Sequence, residues 1–159
     1  MKKVLTAYFS ASGTTKKLAE RLAKSIGSDL YEIEPAVKYT SADLNWMNKN
    51  SRSSVEMRDK SFRPEIAGKL ENMDDYDVIF VAFPIWWYVA PTIINTFLEQ
   101  YNFEGKTIIP LATSGGSGMG NTNKELAPSC KGAELKEGKR FGANASESEL
   151  KAWAEKYIK

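Results

Sequence analysis

A cluster of small hydroxylated residues follows directly after an apolar run near the start of the chain. The run ends at Phe9, and residues 10–15 read Ser-Ala-Ser-Gly-Thr-Thr. Downstream, apolar residues recur every three or four positions and predict a helix over 14–26. Because the first turn of a helix has unpaired backbone N–H groups at its positive dipole end, this junction is suited to binding one phosphate. An ordinary helix start, capped by Ser12 or Thr14 with nothing bound, explains the same residues.

The junction lacks the fingerprints of the commonest nucleotide sites. The pattern G-x-x-x-x-G-K-[ST] of ATP-type loops is missing, and so is the G-x-G-x-x-G pattern of dinucleotide sites. A phosphate here would be held by backbone amides and hydroxyls without an essential cation. The candidate ligands of a single phosphate are Ser10, Ser12, Gly13, Thr14 and Thr15.

Two further segments of unusual composition each follow a predicted strand. Residues 84–91 read Pro-Ile-Trp-Trp-Tyr-Val-Ala-Pro, and three consecutive aromatic side chains cannot all face one core. At least one of them should border a cavity or solvent, where a flat ring ligand can pack against it. Residues 113–120 contain four glycines, which let a backbone approach a planar ligand closely. A cap on the core or a protein interface explains the aromatic segment without a ligand, and a flexible loop explains the glycines.

The composition restricts the chemistry that the side chains can perform. The 159 residues have 42% hydrophobic content, a net charge of +2 and no histidine, which excludes Ser-His-Asp and Cys-His catalysis. Demanding chemistry would therefore need a bound cofactor. The single cysteine, Cys130, excludes an internal disulfide, is expected to be buried and suits a reducing cytoplasm. Basic and acidic residues are interleaved and no apolar stretch approaches a membrane span, so neither nucleic acid nor membrane is an expected partner, and no metal site is expected.

Strand and helix patterns alternate along the chain and predict one α/β domain over residues 1–159. Strands are expected at about 3–9, 29–34, 78–83 and 106–112, with a weak edge strand around 132–142, and helices at about 14–26, 92–100, 121–127 and 146–159. Pro110 predicts a bulge or strand end in the fourth strand. Such units form a parallel sheet between two layers of helices, and ligands bind at the carboxyl ends of its strands.

The region between the second and third strands is the least regular. The polar stretch 36–64 is expected to hold one or two short helices beginning at Ser41 or Asp43. Its few apolar residues, expected to anchor it to the core, are Trp46, Met47, Val55 and Met57. Farther on, Ile66, Leu70 and Met73 predict a helix that leads to Asp77.

Together, the three segments describe a ligand with one phosphate, a linker and a flat heterocycle, as in FMN. In this order, residues 8–15, 76–87 and 113–118 resemble motifs of the flavodoxin-like family, in particular its short-chain, single-domain members. The resemblance covers the whole chain and implies a doubly wound, five-stranded parallel sheet of order 2-1-3-4-5. It places the phosphate on Ser10, Ser12, Gly13, Thr14 and Thr15, and one side of the flavin ring on Pro84, Ile85, Trp86 and Trp87. It places the pyrimidine edge and the other side of the ring on Thr113, Ser114, Gly115, Gly116, Ser117 and Gly118.

The resemblance implies an FMN-binding redox protein that carries electrons or reduces small acceptors. Its partners would be redox proteins or small electron acceptors. The alternatives are an FMN-dependent NAD(P)H:quinone or flavin reductase, and a flavin-free module that binds phosphate or docks a partner. The chain departs from electron-carrying members in its near-neutral charge and in the absence of a tyrosine from its third motif. It also has no glycine between Pro84 and Pro91, so a positive φ in that segment is expected only at an energetic cost.

Overall fold

A parallel β-sheet forms the centre of the protein. The computed structural model describes residues 3–11, 13–114, 118–142 and 144–158, and within them six strands pair in parallel. These are β1 (Val4–Tyr8), β2 (Asp29–Glu32), β3 (Val78–Pro84), β4 (Thr107–Thr113), β5 (Glu134–Leu135) and β6 (Lys139–Phe141). The order is β2-β1-β3-β4-β5, with β6 also beside β4, which confirms the predicted 2-1-3-4-5 topology.

Five α-helices connect or follow the strands in the described ranges. They are α1 (Thr14–Ile26), α2 (Arg52–Arg58), α3 (Thr92–Gln100), α4 (Thr122–Leu126) and α5 (Glu147–Ile158). Helix α1 ends where Gly27 takes a left-handed conformation, with a φ of 69°. At the start of α5, Ser146 Oγ accepts a hydrogen bond from the Glu149 N–H at 3.1 Å. None of these helices is both long and apolar enough to cross a bilayer.

The sheet is covered on both faces. Alternate residues of β3 face opposite sides: Phe80 packs with α1 and α5, whereas Phe83 packs with α3 and α4. Every residue from Val78 to Phe83 is buried for this reason. A strand buried on both faces has no polar side, which explains the uninterrupted apolar run in its sequence.

The fifth position of the sheet holds two short strands where a single one was predicted. Between β5 and β6 the chain passes Pro110 of β4, which has no N–H to donate. Gly138 lies there with a φ of 75°, and a Cβ on it would stand 2.0 Å from the Pro110 carbonyl oxygen. The predicted bulge or strand end at Pro110 was wrong, because β4 runs through Pro110 in unbroken register with β3, and the interruption lies instead in the neighbouring strand, between β5 and β6.

The long connection between β2 and β3 differs from its prediction. Helix α2 is capped by Ser51, whereas residues 41–44 form only turns, so the predicted starts at Ser41 and Asp43 were wrong. The predicted apolar anchors were wrong as well. Trp46, Met47 and Val55 are 68%, 77% and 46% exposed, and Met57 is only half-buried.

The predicted helix before Asp77 was also wrong. Residues 66–72 are irregular, and only a short 3-10 helix, Met73–Asp75, precedes β3. Ile66 forms an antiparallel bridge with Pro35, flanked by hydrogen bonds from the Ala36 and Ala67 N–H groups across the same two segments. Pairing with a distant extended segment buries Ile66 and therefore replaces the helix that its local spacing indicated.

Candidate functional site

The three segments singled out in the sequence leave the same edge of the sheet. Strands β1, β3 and β4 are adjacent and parallel, and Pro84 at the end of β3 pairs in register with Thr113 at the end of β4. The following connections are called here the first loop (9–13), the second loop (85–91) and the third loop (114–121). Their convergence is a consequence of the topology, as expected for a doubly wound sheet.

The start of α1 offers unpaired backbone donors. Its N-cap is Gly13 with a φ of 95°, no side-chain cap is found among the described residues, and no acidic residue occupies the first turn. Ser10 Oγ accepts a hydrogen bond from the Gly13 N–H at 3.0 Å, which folds the first loop back on itself. Thr14 is exposed at this opening. The arrangement is that of an anion site, with N–H groups and the positive end of a helix dipole facing outward. Ser12 lies outside the described residues.

Thr113 connects the start of α1 with the second loop. Its buried hydroxyl lies 2.7 Å from that of Thr15, the second residue of α1. Its carbonyl oxygen accepts a hydrogen bond from the Ile85 N–H at 2.9 Å. Two hydroxyls share one hydrogen bond and so retain one proton, which can be donated to a ligand. The predicted phosphate residues and the start of the predicted ring site are therefore joined through one residue, by its side chain on one side and its backbone carbonyl on the other.

The second loop contains a tight turn over Trp86–Val89. Trp86 and Val89 exchange backbone hydrogen bonds of 2.9 and 3.2 Å, and the central residues Trp87 and Tyr88 have φ values of 52° and 66°. Positive φ at both central positions defines a type I′ turn, which normally contains Asn or Gly. The loop thus takes the conformation that its lack of glycine made costly. The Asn121 N–H donates to the Tyr88 carbonyl oxygen at 3.1 Å and holds it there.

The turn divides its aromatic residues between the interior and the surface. Trp86 packs edge-on against Phe9 and Tyr39, with ring centroids 5.7 and 5.5 Å apart. Trp87 and Tyr88 are 44% and 66% exposed. This confirms that the three consecutive rings do not share one core face, and it supplies both a buried and an exposed aromatic surface at the site.

A polar cluster that sequence reasoning missed attaches α2 to the second loop. The Tyr39 hydroxyl donates to Glu56 Oε1 at 2.5 Å, and the Arg52 guanidinium lies 3.8 Å from the centre of the Tyr39 ring. Arg52 Nε also donates to Glu56 Oε2 at 2.9 Å. Burial, followed by the hydrogen bond to Glu56, raises the pKa of the Tyr39 hydroxyl far above its ordinary value. The i,i+4 spacing of Arg52 and Glu56 was the only signal available in the sequence.

Between α2 and the second loop lies a cleft of about 550 Å³. We call it the aromatic cleft, and its lining residues are Leu44, Trp46, Ser53, Ile85, Trp86, Trp87 and Tyr88. Trp46, expected in the core, here forms an exposed wall. Ser53 is 2% exposed, and its hydroxyl has no hydrogen-bond partner within the described part of the chain.

The third loop is described only at its ends. Ser114 is half-buried and Gly118 is exposed, while Gly115, Gly116 and Ser117 lie outside the described residues. Next to them, Gly120 packs so closely on the second loop that a Cβ would stand 2.3 Å from the Tyr88 carbonyl oxygen. The described residues of the predicted site therefore gather at one edge, with the second loop held between α2 and residues 120–121.

Comparison with known proteins agrees with this geometry. Over its full length, the chain is 49% identical to a protein from Bacteroides eggerthii assigned as a flavoprotein, and the superposition covers 99% of that structure with a TM-score of 0.93. It is 25% identical, over 97% of this chain and 99% of the other, to a flavoprotein from Lactobacillus acidophilus solved in complex with FMN, with a TM-score of 0.73. A shorter match of 26% identity joins 43% of the chain to 38% of an uncharacterised NAD(P)H oxidoreductase of Escherichia coli.

A family model described as flavodoxin matches residues 3–157, nearly the whole chain. The strand order β2-β1-β3-β4-β5 agrees with this match. The chain belongs to the flavodoxin family.

Proposed function

We propose that the chain binds FMN and acts as a redox protein that transfers electrons to a partner protein or a small acceptor. One observation supports this most: the uncapped start of α1 lies beside the Thr15–Thr113 hydroxyl pair, at the edge where the second loop begins. A flavoprotein from Lactobacillus acidophilus that is similar along its length is known in complex with FMN. Bound there, FMN would supply the uptake and release of electrons.

The residues present fit FMN at both ends of the molecule. For the phosphate, the N–H groups of the first turn of α1 and the exposed Thr14 hydroxyl are available, and no carboxylate of that turn opposes an anion. A Cβ built on Gly13 meets nothing within 4 Å, so the space before the helix is open to a ligand. For the ring, Pro84, Ile85 and Trp86 present a mostly apolar, half-buried surface next to the third loop, and Trp87, the fourth predicted ring residue, lies exposed beside them.

The proposal is tested by comparing FMN with riboflavin, which lacks the phosphate. Thr14→Ala should weaken FMN binding by roughly 1.5–3 kcal/mol, as expected for a hydrogen bond to a charged group, and leave riboflavin binding nearly unchanged. Ser25→Ala, at the opposite end of α1, is the matched control, because the Ser25 hydroxyl donates to the Leu22 carbonyl oxygen of its own helix. FAD should bind more weakly than FMN, since one phosphate site is available.

Calorimetric titration of the purified protein measures all of these affinities. If Thr14→Ala weakens the binding of FMN and riboflavin equally, the Thr14 hydroxyl stabilises the helix and does not contact the phosphate. A protein that binds neither flavin would refute the proposal in favour of a flavin-free module.

A reductase that accepts hydride from a nicotinamide is the second candidate. It is favoured by the exposed rings of Trp87 and Tyr88 at an open part of the second loop, which leave room for another flat ring. Anaerobic stopped-flow mixing of the FMN-loaded protein with NADPH and with NADH distinguishes the two. Rapid bleaching of the flavin by either nucleotide identifies a reductase, and its absence favours electron transfer between proteins.

A further inference from the structure

A groove of about 280 Å³ lies beside α2. We call it the α2 groove, and its described lining residues are Trp46, Lys49, Ser54, Met57, Arg58 and Trp87. Trp87 is the only one of them that belongs to the predicted ring site, and none comes from the first or the third loop. The α2 groove is therefore distinct from the predicted flavin positions, although it borders the second loop.

Large apolar side chains at the α2 groove are exposed to solvent. Trp46 and its neighbour Met47 are 68% and 77% exposed, and Met57 and Trp87 are only partly covered. Tryptophan, methionine and arginine are residues that protein–protein interfaces favour over the rest of the surface. Because a monomeric protein rarely leaves such a patch uncovered, this surface is suited to a protein partner.

The charge around the α2 groove is positive and only partly compensated. Residues 44–63 contain five basic and two acidic side chains. Three of the basic side chains are paired with carboxylates, namely Arg52, Lys60 and Arg63. Lys49 and Arg58, which line the groove, are exposed and form no ion pair with any residue that the structure describes. A partner that supplies carboxylates would pair with both of them.

Two further cations lie at the same edge of the sheet. Lys16 and Lys17 are exposed in the first turn of α1, where no acidic residue occurs. Because α1 follows β1 and the second loop follows β3, the two lysines and the α2 groove are at the carboxyl ends of adjacent parallel strands. This edge of the sheet therefore attracts a negatively charged surface before contact is made.

We propose that the α2 groove docks an acidic partner protein, with Lys49 and Arg58 receiving carboxylates of that protein and Trp46 and Met57 contacting its apolar centre. This rests on the proposed redox function and gives the chemistry of the partner. A protein bound there contacts Trp87 of the second loop and so lies beside the proposed position of the flavin ring.

Two other occupants fit this surface less well. Anionic membranes attract clusters of about four to eight basic residues, whereas the α2 groove has two that are free of ion pairs among the described residues. A second copy could present the acid-rich segment 71–77, which has four carboxylates and no basic residue. That segment precedes β3 and lies at the opposite edge of the sheet, so the contact would be head to tail and not the common two-fold dimer.

The test is calorimetric titration of oxidised, FMN-loaded protein with rubredoxin, a small acidic iron protein, compared with the basic haem protein cytochrome c. Rubredoxin should bind, and cytochrome c should not. Raising the salt concentration from about 10 to about 100 mM should weaken rubredoxin binding roughly fivefold or more, because the attraction is between exposed charges.

Variants locate the binding surface. Lys49→Glu and Arg58→Glu should each weaken rubredoxin binding roughly 2- to 30-fold, because each exchanges the attraction of a surface ion pair for a repulsion of similar size. Lys151→Glu is the matched control, since it makes the same change in net charge at an exposed position of α5, on the sheet face opposite to the second loop. Trp46→Ala should also weaken binding several-fold, and its exposure means that the variant should fold normally. Leu30→Ala, which removes an exposed apolar side chain of β2, is its control.

Several results would overturn the proposal. They are the absence of rubredoxin binding, equal binding of cytochrome c, and equal effects of the three charge reversals. Binding to phosphatidylserine vesicles that Lys49→Glu abolishes, without binding of rubredoxin, would replace the partner protein with a membrane surface. Self-association in sedimentation that Lys49→Glu abolishes would replace it with a second copy. The flavin absorbance of each sample reports FMN content independently, and a protein without FMN that still binds rubredoxin through Lys49 and Arg58 would refute the redox function but retain the docking surface.

Discussion

The turn at Trp87 and Tyr88 provides a test in which the sign of a stability change is decisive. Two consecutive bulky residues have positive φ there, at 52° and 66°. For a residue with a Cβ, this conformation costs about 1–2 kcal/mol, whereas glycine adopts it freely. Glycine has its own cost of about 0.5–1 kcal/mol, because its unfolded chain is more flexible.

We therefore compare Tyr88→Gly with Tyr88→Ala. Both variants lose the same exposed ring, and they differ only in the Cβ. The mid-values of the two costs leave Tyr88→Gly more stable than Tyr88→Ala by roughly 0.75 kcal/mol, which is the reverse of the usual order. Ala152→Gly is the control, since Ala152 is an exposed residue within α5 and its replacement should destabilise the protein by about 1 kcal/mol.

Urea denaturation measures these differences as shifts in the urea concentration at the unfolding midpoint, provided that the dependence of the unfolding free energy on urea stays the same. In thermal unfolding, each kcal/mol corresponds to about 2–4 °C for a chain of this length. If Tyr88→Ala is as stable as Tyr88→Gly or more so, the positive φ stores no strain and the reasoning about this turn fails.

Other predictions concern the same site and the core. In a double-mutant cycle of Thr15→Val and Thr113→Val, urea midpoints should reveal a coupling of about 0.5–3 kcal/mol, and additive losses would refute the hydroxyl bond. Burial raises the pKa of the Cys130 thiol from 9.0 to about 11, so stability should fall between these pH values as the unfolded chain releases its proton first. In the Cys130→Ala variant, the free energy of unfolding should not show this part of the decrease with rising pH. Stepwise reduction of the FMN-loaded protein should show little long-wavelength absorption from the neutral, one-electron-reduced flavin. That form carries an N5–H, which is stabilised when a nearby backbone carbonyl turns towards it. Turning the Trp87–Tyr88 peptide in this way would require a type II′ turn, which favours a glycine in place of Trp87. A strong band would contradict this.

Local patterns were sufficient for much of the fold. The apolar run at 78–83 and the helical spacing over 92–100 predicted β3 and α3 closely, because a doubly buried strand and an amphipathic helix are each visible within a few residues. The first loop was found in the same way, since a strand end, four hydroxyls and a helix start are contiguous in the chain. The order of the sheet followed from alternating strands and helices together with the family resemblance.

The tertiary structure alone decided the remaining features, because they depend on residues distant in sequence. Thr15 and Thr113 are 98 positions apart, and nothing local indicates that their hydroxyls meet. Ile66 has helical spacing with its neighbours, but pairing with Pro35 places it in an extended bridge. Trp87 and Tyr88 have no preference for positive φ, and hydrogen bonding from Asn121 and close packing on Gly120 accompany that conformation. Sequence therefore determined most of the elements and the position of the first loop, whereas contacts between elements formed the turn and the aromatic cleft.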